Sequence, residues 1–444
     1  MPEKTIFEHA TIVTMDSERR IFEDGAVVVE GKRILQVGDN DVIKKGHKAD
    51  HIIDSRRKVL LPGLVSLHFH SDNFSRGVGE HMGLEEWLDT IYYPMLRAMT
   101  PEDSYWAAML AYAEAVRGGT TCVNDMYRHL GSCAKAAEAV GLRAVLSSEA
   151  ADLIEGQETL KDNENAFRDI DGKADGRIRV WFGVEWIPVC SKEFLAETRE
   201  LADRYHTGIH IHLNESKAEV ELSSKKYGLR PVELAYDQGV LGSDCVAAHC
   251  VWLSDKEIKL LKDTRTHVAH CPVSNAKLGN GVARTYEMVK IGINVGLGPD
   301  DAPCNNNVDM FETMKYASLF QKATLMDASV LPAAKVLEMA THNGARALGL
   351  ENQIGRIESG MKADIILVDM NTPRLTPVHF GDNLNVIQHL VYAAHGDDVD
   401  TVMIDGRMIM KERKLVAVDE QEVIDKATQA SRRVIEERKK YLKK

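Results

Sequence analysis

The sequence lacks a long apolar run, a paired-cysteine motif and an excess of positive charge, and each absence excludes a class of protein. No uninterrupted apolar stretch reaches the roughly 18 residues that a membrane-spanning helix needs. The seven cysteines include no CxxC pair, so we expect buried thiols in a reducing compartment. A net charge of -12 argues against a general nucleic-acid-binding protein.

The amino-terminal segment shows no basic region followed by an apolar run, so a secretory signal peptide is not expected. Together with the cysteine usage, this predicts a cytoplasmic protein. It also predicts that neither a membrane nor a nucleic acid is its partner.

Both ends of the chain show the sequence pattern of β-strands. Short β-type runs punctuated by glycine turns fill residues 1–59, and the same pattern returns over residues 361–418. Each part is too small to bury a good core alone. We therefore predict that they form one small β-sandwich domain together, followed by a surface helix over 419–444.

The middle of the chain, residues 60–360, alternates short apolar runs with amphipathic helical segments such as 101–117 and 308–322. Eight such units over this length predict a (β/α)8 TIM-type barrel. A doubly wound open sheet is the alternative, but it requires a glycine-rich phosphate turn after the first strand. The sequence has His68-Phe69-His70-Ser71-Asp72-Asn73 there instead. The apolar runs lie at 59–67, 121–124, 143–146, 180–184, 208–212, 245–249, 267–270 and 294–297.

Histidines and carboxylates follow several of these runs. His68 and His70 are two residues apart at the end of one strand, so both imidazoles project from the same face. Barrel chemistry takes place at the carboxyl ends of the strands. Three histidines and one carboxylate suit zinc, and also iron or manganese. The residues at these ends are His68, His70, His212, Glu215, His249 and Asp300.

Several segments together resemble the amidohydrolase superfamily, and more narrowly its branch of triazine hydrolases and S-adenosylhomocysteine (methylthioadenosine) deaminases. The resemblance covers nearly the whole chain. The segments that carry it are His68-Phe69-His70, His212-Leu213-Asn214-Glu215, Ala248-His249-Cys250, the run from His270 to Gly279, Gly296-Leu297-Gly298-Pro299-Asp300, Leu61-Pro62-Gly63-Leu64 and the run from Gly355 to Asp364.

The resemblance implies a hydrolase that attacks its substrate with metal-activated water. It implies one divalent metal ion, most simply Zn²⁺, held by His68, His70, His212 and Asp300. It also implies Glu215, His249 and Asp300 as the catalytic, proton-handling residues. Some superfamily members hold a second metal through a lysine after the fourth strand, where this chain has Glu185 and no lysine.

At four positions the chain departs from the deaminases that it resembles. In that group a glutamate binds the ribose hydroxyls, and an arginine and a histidine follow the third and fourth strands. This chain has Leu96, Ser148 and Glu185 at those places, and Asp301 where a glycine usually follows the metal-binding aspartate. These replacements argue against a nucleoside substrate.

The replacements add carboxylates near the predicted metal. Glu149, Glu185 and Asp301 favour a cationic or donor-rich ligand. The alternative is that these acids face solvent or pair with Arg76 or Arg128. Residues predicted to contact the substrate are Glu185, Asp301, Trp87, Glu149, Trp186 and Leu96.

We therefore expect hydrolysis of an amidine- or guanidine-like C–N bond in an amino-heterocycle, guanidine or biguanide, with release of ammonia or an amine. Triazine-type dechlorination and deamination of S-adenosylhomocysteine- or methylthioadenosine-type nucleosides are the alternatives. A non-catalytic protein on the same scaffold predicts broken ligand positions, and none is broken here. The resemblance also suggests a homodimer or larger homo-oligomer.

Overall fold

Eight parallel strand positions close into a barrel in the computed structural model, which describes residues 3–442. The fourth position is split into two pieces around Trp181, whose N–H still donates to the carbonyl of Leu146 at 2.8 Å. A bridge between Phe69 and Asp300 joins the last strand position to the first. The strands are Leu64–Phe69, Thr120–Tyr127, Arg143–Ser148, Ile178–Val180 with Phe182–Val184, Ile209–Leu213, Cys245–His249, His267–His270 and Val295–Leu297. The predicted (β/α)8 barrel is confirmed.

Helices connect the barrel strands. Pro101–Arg117 shows why they begin where they do: Thr100 and Asp103 form a reciprocal capping box, and Pro101 occupies the first helical position. The others are Leu130–Val140, Leu160–Ile170, Lys173–Gly176, Lys192–Tyr205, Lys217–Tyr227, Pro231–Asp237, Asp255–Thr264, Pro272–Lys277, Thr285–Lys290, Ala302–Asn305, Met310–Leu325, Ala333–Met339 and His342–Ala347, with a 3₁₀ turn at Ile187–Val189.

The segment after the first barrel strand does not run directly into a barrel helix. It forms the short helix Leu84–Trp87, a π-helical turn at Leu88–Tyr92 and the helix Tyr93–Ala98. A π-helical turn is wider than an α-helical turn. Such turns are rare in proteins, but those that occur often lie at functional sites. This aromatic segment, residues 84–98, lies over the carboxyl end of the barrel and contributes residues to the cavity described below.

Both chain ends build one nine-stranded mixed sheet. The strand Lys58–Pro62 connects the two ends within this sheet. It pairs in parallel with Lys4–Val13 and antiparallel with Ile365–Asp369. Phe7 and Leu367 share a core, which joins the two ends. The remaining strands are Ile21–Glu30, Arg33–Asp39, His51–Asp54, Val399–Ile404, Arg407–Lys411 and Lys414–Leu415; the helices of this part are Asn40–Gly46, Pro373–Leu375, Gly381–Asn383, Val386–Tyr392 and Gly396–Asp398.

The chain passes from the sheet to the barrel at Gly63. A Cβ atom there would lie 2.1 Å from Oγ1 of Thr121, so only glycine fits this close approach. The apolar run 59–67 that the sequence analysis treats as one strand therefore contains two, Lys58–Pro62 and Leu64–Phe69. The domain boundaries at 59/60 and 360/361 stay predictions.

The carboxyl-terminal helix Glu420–Glu437 continues into a 3₁₀ turn at Arg438–Tyr441. It packs against Pro101–Arg117, where Arg433 pairs with Asp103. All seven cysteines are buried and free of disulfides. Among the described residues, no helix has the length and apolar character needed to cross a membrane.

A buried ion pair ties the third barrel strand to the mixed sheet. Arg143 donates from Nε and Nη2 to the two carboxylate oxygens of Asp364, both at 3.0 Å, and each residue is 2% exposed. Asp364 also accepts from the backbone N–H of Asp405. Because a bidentate pair in a dry site leaves no oxygen free, its loss cannot be compensated by water.

We expect Asp364→Asn to lower the free energy of unfolding by about 3 kcal/mol, because it leaves the Arg143 charge buried with only Asp405 nearby. Urea-induced unfolding followed by circular dichroism measures this. The matched control is Asp54→Asn in the exposed Arg56–Asp54 pair (2.6 Å), for which a loss below about 1 kcal/mol is expected. Equal losses of unfolding free energy in the two variants would contradict a stabilising role for the buried Arg143–Asp364 ion pair.

Candidate functional site

Four predicted ligands converge at the carboxyl end of the barrel. Nε2 of His70 lies 3.2 Å from Nε2 of His212. Oδ1 of Asp300 lies 3.5 Å from Nε2 of His68 and 3.6 Å from Nε2 of His70. Zinc–nitrogen bonds of about 2.0–2.1 Å in a tetrahedron separate ligand atoms by roughly 3.3–3.4 Å. These three separations are close to those between the ligand atoms of one tetrahedral ion.

A chain of hydrogen bonds orients His68. Its Nδ1 lies 2.8 Å from Nε2 of His210, and Nδ1 of His210 lies 3.3 Å from Oγ of Ser147. Nε2 of His68 is buried without a hydrogen-bond partner among the described residues. Neutral rings satisfy this chain when each Nδ1 carries the proton, which leaves the lone pair of His68 Nε2 for a metal ion.

His70 and His212 are held in the same way from behind. Nδ1 of His70 lies 2.5 Å from the carbonyl oxygen of Met126 and 2.9 Å from Oε1 of Glu149. Nδ1 of His212 hydrogen-bonds to the carbonyl oxygen of Glu185. These contacts turn both Nε2 atoms toward the same point, as ligands of a metal ion require.

Burial sets the charge of these imidazoles. Burial and the neighbouring imidazoles hold the pKa of His68 and of His212 well below the usual value, which keeps both rings neutral. Burial also acts to lower the pKa of His70, but the hydrogen-bonded Glu149 outweighs it and raises that pKa to about 10. A cation at Nε2 competes with this proton, while the Nδ1–H keeps its bond to Glu149.

Two of the predicted site residues have an unusual backbone conformation. His249 and Asp300 lie in the left-handed region, with φ of 68° and 69°. Non-glycine residues adopt this region only where the surrounding structure holds them there. Gly298 allows the turn before Asp300, since a Cβ atom there would lie 2.5 Å from the carbonyl oxygen of His68.

Glu215 and His249 stand beside the donor cluster, with Oε2 and Nε2 3.7 Å apart. Asn280 donates to Oε1 of Glu215 at 2.9 Å, and Nδ1 of His249 donates to Oδ1 of Asn275 at 2.9 Å. Burial and the charge of Asp300 raise the pKa of Glu215 well above its usual value. Burial lowers the pKa of His249. These shifts favour a protonated Glu215 and a neutral His249, the states that a proton donor and a proton acceptor require.

The two consecutive aspartates have different contacts. Oδ2 of Asp300 accepts from Ser274 at 2.6 Å, and Oδ1 accepts the N–H of Asp301 at 2.9 Å. Asp301 caps the helix Ala302–Asn305 through the N–H of Cys304. Burial and the charge of Asp300 raise the pKa of Asp301 well above its usual value.

A cavity of about 40 Å³ lies above the donor atoms. It is small beside the roughly 300–1,000 Å³ of typical ligand pockets. The described residues that line it include no lysine and no arginine. They are His70, Leu84, Trp87, Leu88, Tyr92, Glu149, Glu185, Trp186, His212, Glu215, His249, Asp300, Asp301 and Cys304.

Five of the six predicted substrate-contact residues are in this lining. The exception is Leu96, which is packed in the hydrophobic core at 1% exposure and whose carbonyl accepts from Arg128. Arg76 bonds to Asn73 and Glu114. Among the contacts described for Arg76 and Arg128, neither forms an ion pair with Glu149, Glu185 or Asp301, and those three carboxylates are buried rather than solvent-facing.

Sequence reasoning predicts His210 as a buried, hydrogen-bonded histidine but overlooked the other residues that orient the site. Ser274 and Asn275 lie inside the segment that carries the family resemblance, but their identity alone does not predict which side chains they contact. His210 precedes His212 by two residues on one strand, a spacing that places it on the same face one layer deeper. Asn280 follows that segment, and no sequence pattern around it indicates a functional role.

Two curated relatives match almost the full chain. A 5'-deoxyadenosine deaminase from Methanosarcina mazei is 41% identical over 97% of this chain and 98% of its own length. A 5-methylthioadenosine/S-adenosylhomocysteine deaminase from Acetivibrio thermocellus is 37% identical over 97% of this chain and 99% of its own length.

Two solved structures share the fold. An adenosine deaminase from Xanthomonas campestris with bound zinc superposes with a TM-score of 0.91 at 29% identity, covering 98% of this chain and 99% of the other. A zinc complex of an atrazine chlorohydrolase from Arthrobacter aurescens superposes with a TM-score of 0.87 at 21% identity, covering 96% and 100%, and shows the fold alone.

The family model for the amidohydrolase family matches residues 59–409. The match spans the barrel, the donor cluster and the second half of the mixed sheet. With relatives that are deaminases over their whole length, it bears out the expected hydrolase of non-peptide C–N bonds. The chain therefore belongs to the amidohydrolase family.

Proposed function

We propose that the protein is a metal-dependent deaminase, and that adenine nucleosides of the 5'-deoxyadenosine, methylthioadenosine and S-adenosylhomocysteine type are its first candidate substrates. The observation that carries the reaction is Glu215 beside His249, 3.7 Å apart and adjacent to converged donor atoms in one cavity. The relatives favour the nucleosides, which were the alternative in the sequence analysis. Cytoplasmic location and homo-oligomeric assembly stay predictions.

The proposed metal ligands are Nε2 of His68, His70 and His212 and Oδ1 of Asp300, and the fit of their separations to a tetrahedron supports a single ion such as zinc. When bound, a divalent ion supplies a Lewis acid that makes water nucleophilic at neutral pH. Glu149 lies behind His70 and supports it, in addition to its place in the cavity lining.

The chain's own groups move the protons. Glu215 donates its proton to the ring nitrogen next to the amino-bearing carbon, which makes that carbon electrophilic. His249 accepts a proton from the attacking water at Nε2, because Asn275 occupies its Nδ1. Asp300 orients the same water. The amino group leaves as ammonia after it takes up the proton that His249 accepted from water, and the hydroxyl group formed on the carbon returns a proton to Glu215.

A compact amidine- or guanidine-like substrate is the second candidate. The observation that favours it is the lining itself: Glu149, Glu185 and Asp301 are buried there, and the described lining contains no lysine or arginine. Burial and the charge of Glu149 raise the pKa of Glu185 to about 8. A cationic or donor-rich substrate compensates this surplus of acids, because it stabilises the ionised form of Glu185 in place of that proton.

Glu215→Gln is expected to lower kcat by about 10²- to 10⁴-fold, because the amide cannot donate an acidic proton. The variant should keep its metal, since Glu215 is not among the proposed ligands. Ammonia release measures the first effect and elemental analysis the second. Asp300→Ala is the contrasting variant and should lose bound metal; full activity of Glu215→Gln would remove Glu215 from the mechanism.

His210→Ala is expected to weaken zinc affinity by about 10- to 100-fold, because His68 loses the partner that orients its ring. Competition with a chromogenic chelator measures the affinity. His267→Ala is the matched control: it is also a buried barrel histidine, but it bonds to Ser243 and Asn294 away from the donor cluster. Equal affinities in the two variants would contradict the role of His210.

A substrate panel separates the candidate reactions, because the donor cluster serves any leaving group. We expect ammonia release from 5'-deoxyadenosine and methylthioadenosine, measured by a coupled assay on the zinc-loaded enzyme. Guanidines, biguanides and aminotriazines test the second candidate in the same assay. Chloride release from a chlorotriazine without ammonia release from any compound would instead establish a dechlorinase.

A further inference from the structure

The aromatic segment places two consecutive tyrosines against the acidic cavity. In a regular α-helix, neighbouring side chains diverge by about 100°. Here Tyr92 ends the π-helical turn and Tyr93 begins the next helix, and both are buried, at 4% and 5% exposure. The two hydroxyl groups nevertheless reach two glutamates that line the same cavity.

Each tyrosine holds one oxygen of a buried glutamate. The Tyr92 hydroxyl donates to Oε1 of Glu149 at 2.5 Å, and the Tyr93 hydroxyl donates to Oε1 of Glu185 at 2.8 Å. Oε1 of Glu149 also lies 2.9 Å from Nδ1 of His70. The orientation of both carboxylates is thereby set by the protein.

The second oxygen of each carboxylate has no partner. Oε2 of Glu149 and Oε2 of Glu185 are buried and make no hydrogen bond within the described residues. An unsatisfied buried acceptor of this kind is unfavourable, and more so when it is charged. Both glutamates line the cavity above the donor cluster. Two acceptors are thus presented to whatever enters.

From this arrangement we propose that Glu149 and Glu185, positioned by Tyr92 and Tyr93, determine specificity by reading a donor-bearing edge of the substrate. This substrate carries two N–H or O–H donors besides the amino group that leaves. The inference rests on the proposed deaminase function and narrows its substrate class to polyamino rings and amidines, or to amino rings with neighbouring hydroxyl groups. Glu149 and Glu185 are the contact residues; the tyrosines act through them.

The test compares substrates that differ by one donor. Adenine and 2,6-diaminopurine share the amino group that leaves and differ by one further amino group, as do 2,4-diamino-1,3,5-triazine and melamine. For the zinc-loaded enzyme we expect kcat/KM to be about 10- to 100-fold higher for the donor-rich member, the range for a hydrogen bond to a charged acceptor. Tyr93→Phe and Glu185→Gln should remove most of this ratio and act mainly through KM.

Tyr227→Phe is the matched control, because its hydroxyl donates to the carbonyl of Cys190 outside the cavity lining. It should leave the ratio unchanged. Tyr93→Phe keeps the ring and the carboxylate, so it remains informative if Glu185→Gln does not fold. A variant that loses activity equally on both members of a pair would show a structural role and overturn the proposal, as would a ratio near one in the parent enzyme.

Calorimetric titration of zinc-loaded Glu215→Gln with the same pairs separates this inference from the proposed function. Tighter binding of the donor-rich members, without turnover of any compound by the parent enzyme, would retain the specificity site and reject the deaminase. Turnover by the parent enzyme without such a preference would retain the deaminase and reject the specificity site.

Discussion

The constraint on which the structure depends is the crowding of metal-binding atoms at a dry barrel end. Three imidazole nitrogens and a carboxylate oxygen converge with the measured separations between 3.2 and 3.6 Å, and Nε2 of His68 has no partner in the described chain. Buried polar atoms without partners are unfavourable, so the rest of the fold must hold them in place. The barrel closure at Phe69 and Asp300, the left-handed backbone of Asp300 and the bonds behind each imidazole serve that purpose.

The second consequence of this crowding is a surplus of carboxylates. The cavity lining holds five carboxylates and, among its described residues, no basic side chain except imidazole. Burial and mutual repulsion raise the pKa of Glu215 and Asp301, so protons are held where a substrate nitrogen would receive them. The relatives point to nucleosides and the lining points to donor-rich ligands. The two agree on an amino-bearing carbon in a nitrogen-rich small molecule, which is the chemistry proposed for Glu215 and His249.

Much of the fold could be predicted from the sequence, because hydrophobic periodicity and the residues that begin or end helices and strands are local properties. Apolar runs alternating with amphipathic segments predicted the barrel, and the helix over 101–117 has the observed bounds because Thr100 and Pro101 mark its start. The split of the run 59–67 at Gly63 was not accessible, since it depends on Thr121 approaching from the next strand. Nor was the position of Leu96 in the hydrophobic core, which the family resemblance alone could not locate.

For the site, the family resemblance implied the roles of metal ligand and proton carrier, and the sequence by itself predicted that His68, His70, His212, Glu215, His249 and Asp300 stand together at strand ends. It did so because strand ends meet at one barrel mouth whatever the loops do. Only the tertiary structure decided which atoms face the common point and which groups hold them. The groups that hold these atoms form hydrogen bonds between segments far apart in the chain; they are His210, Asn275, Asn280 and the paired tyrosines. Such hydrogen bonds produce no periodic pattern in a sequence, so the sequence does not predict them.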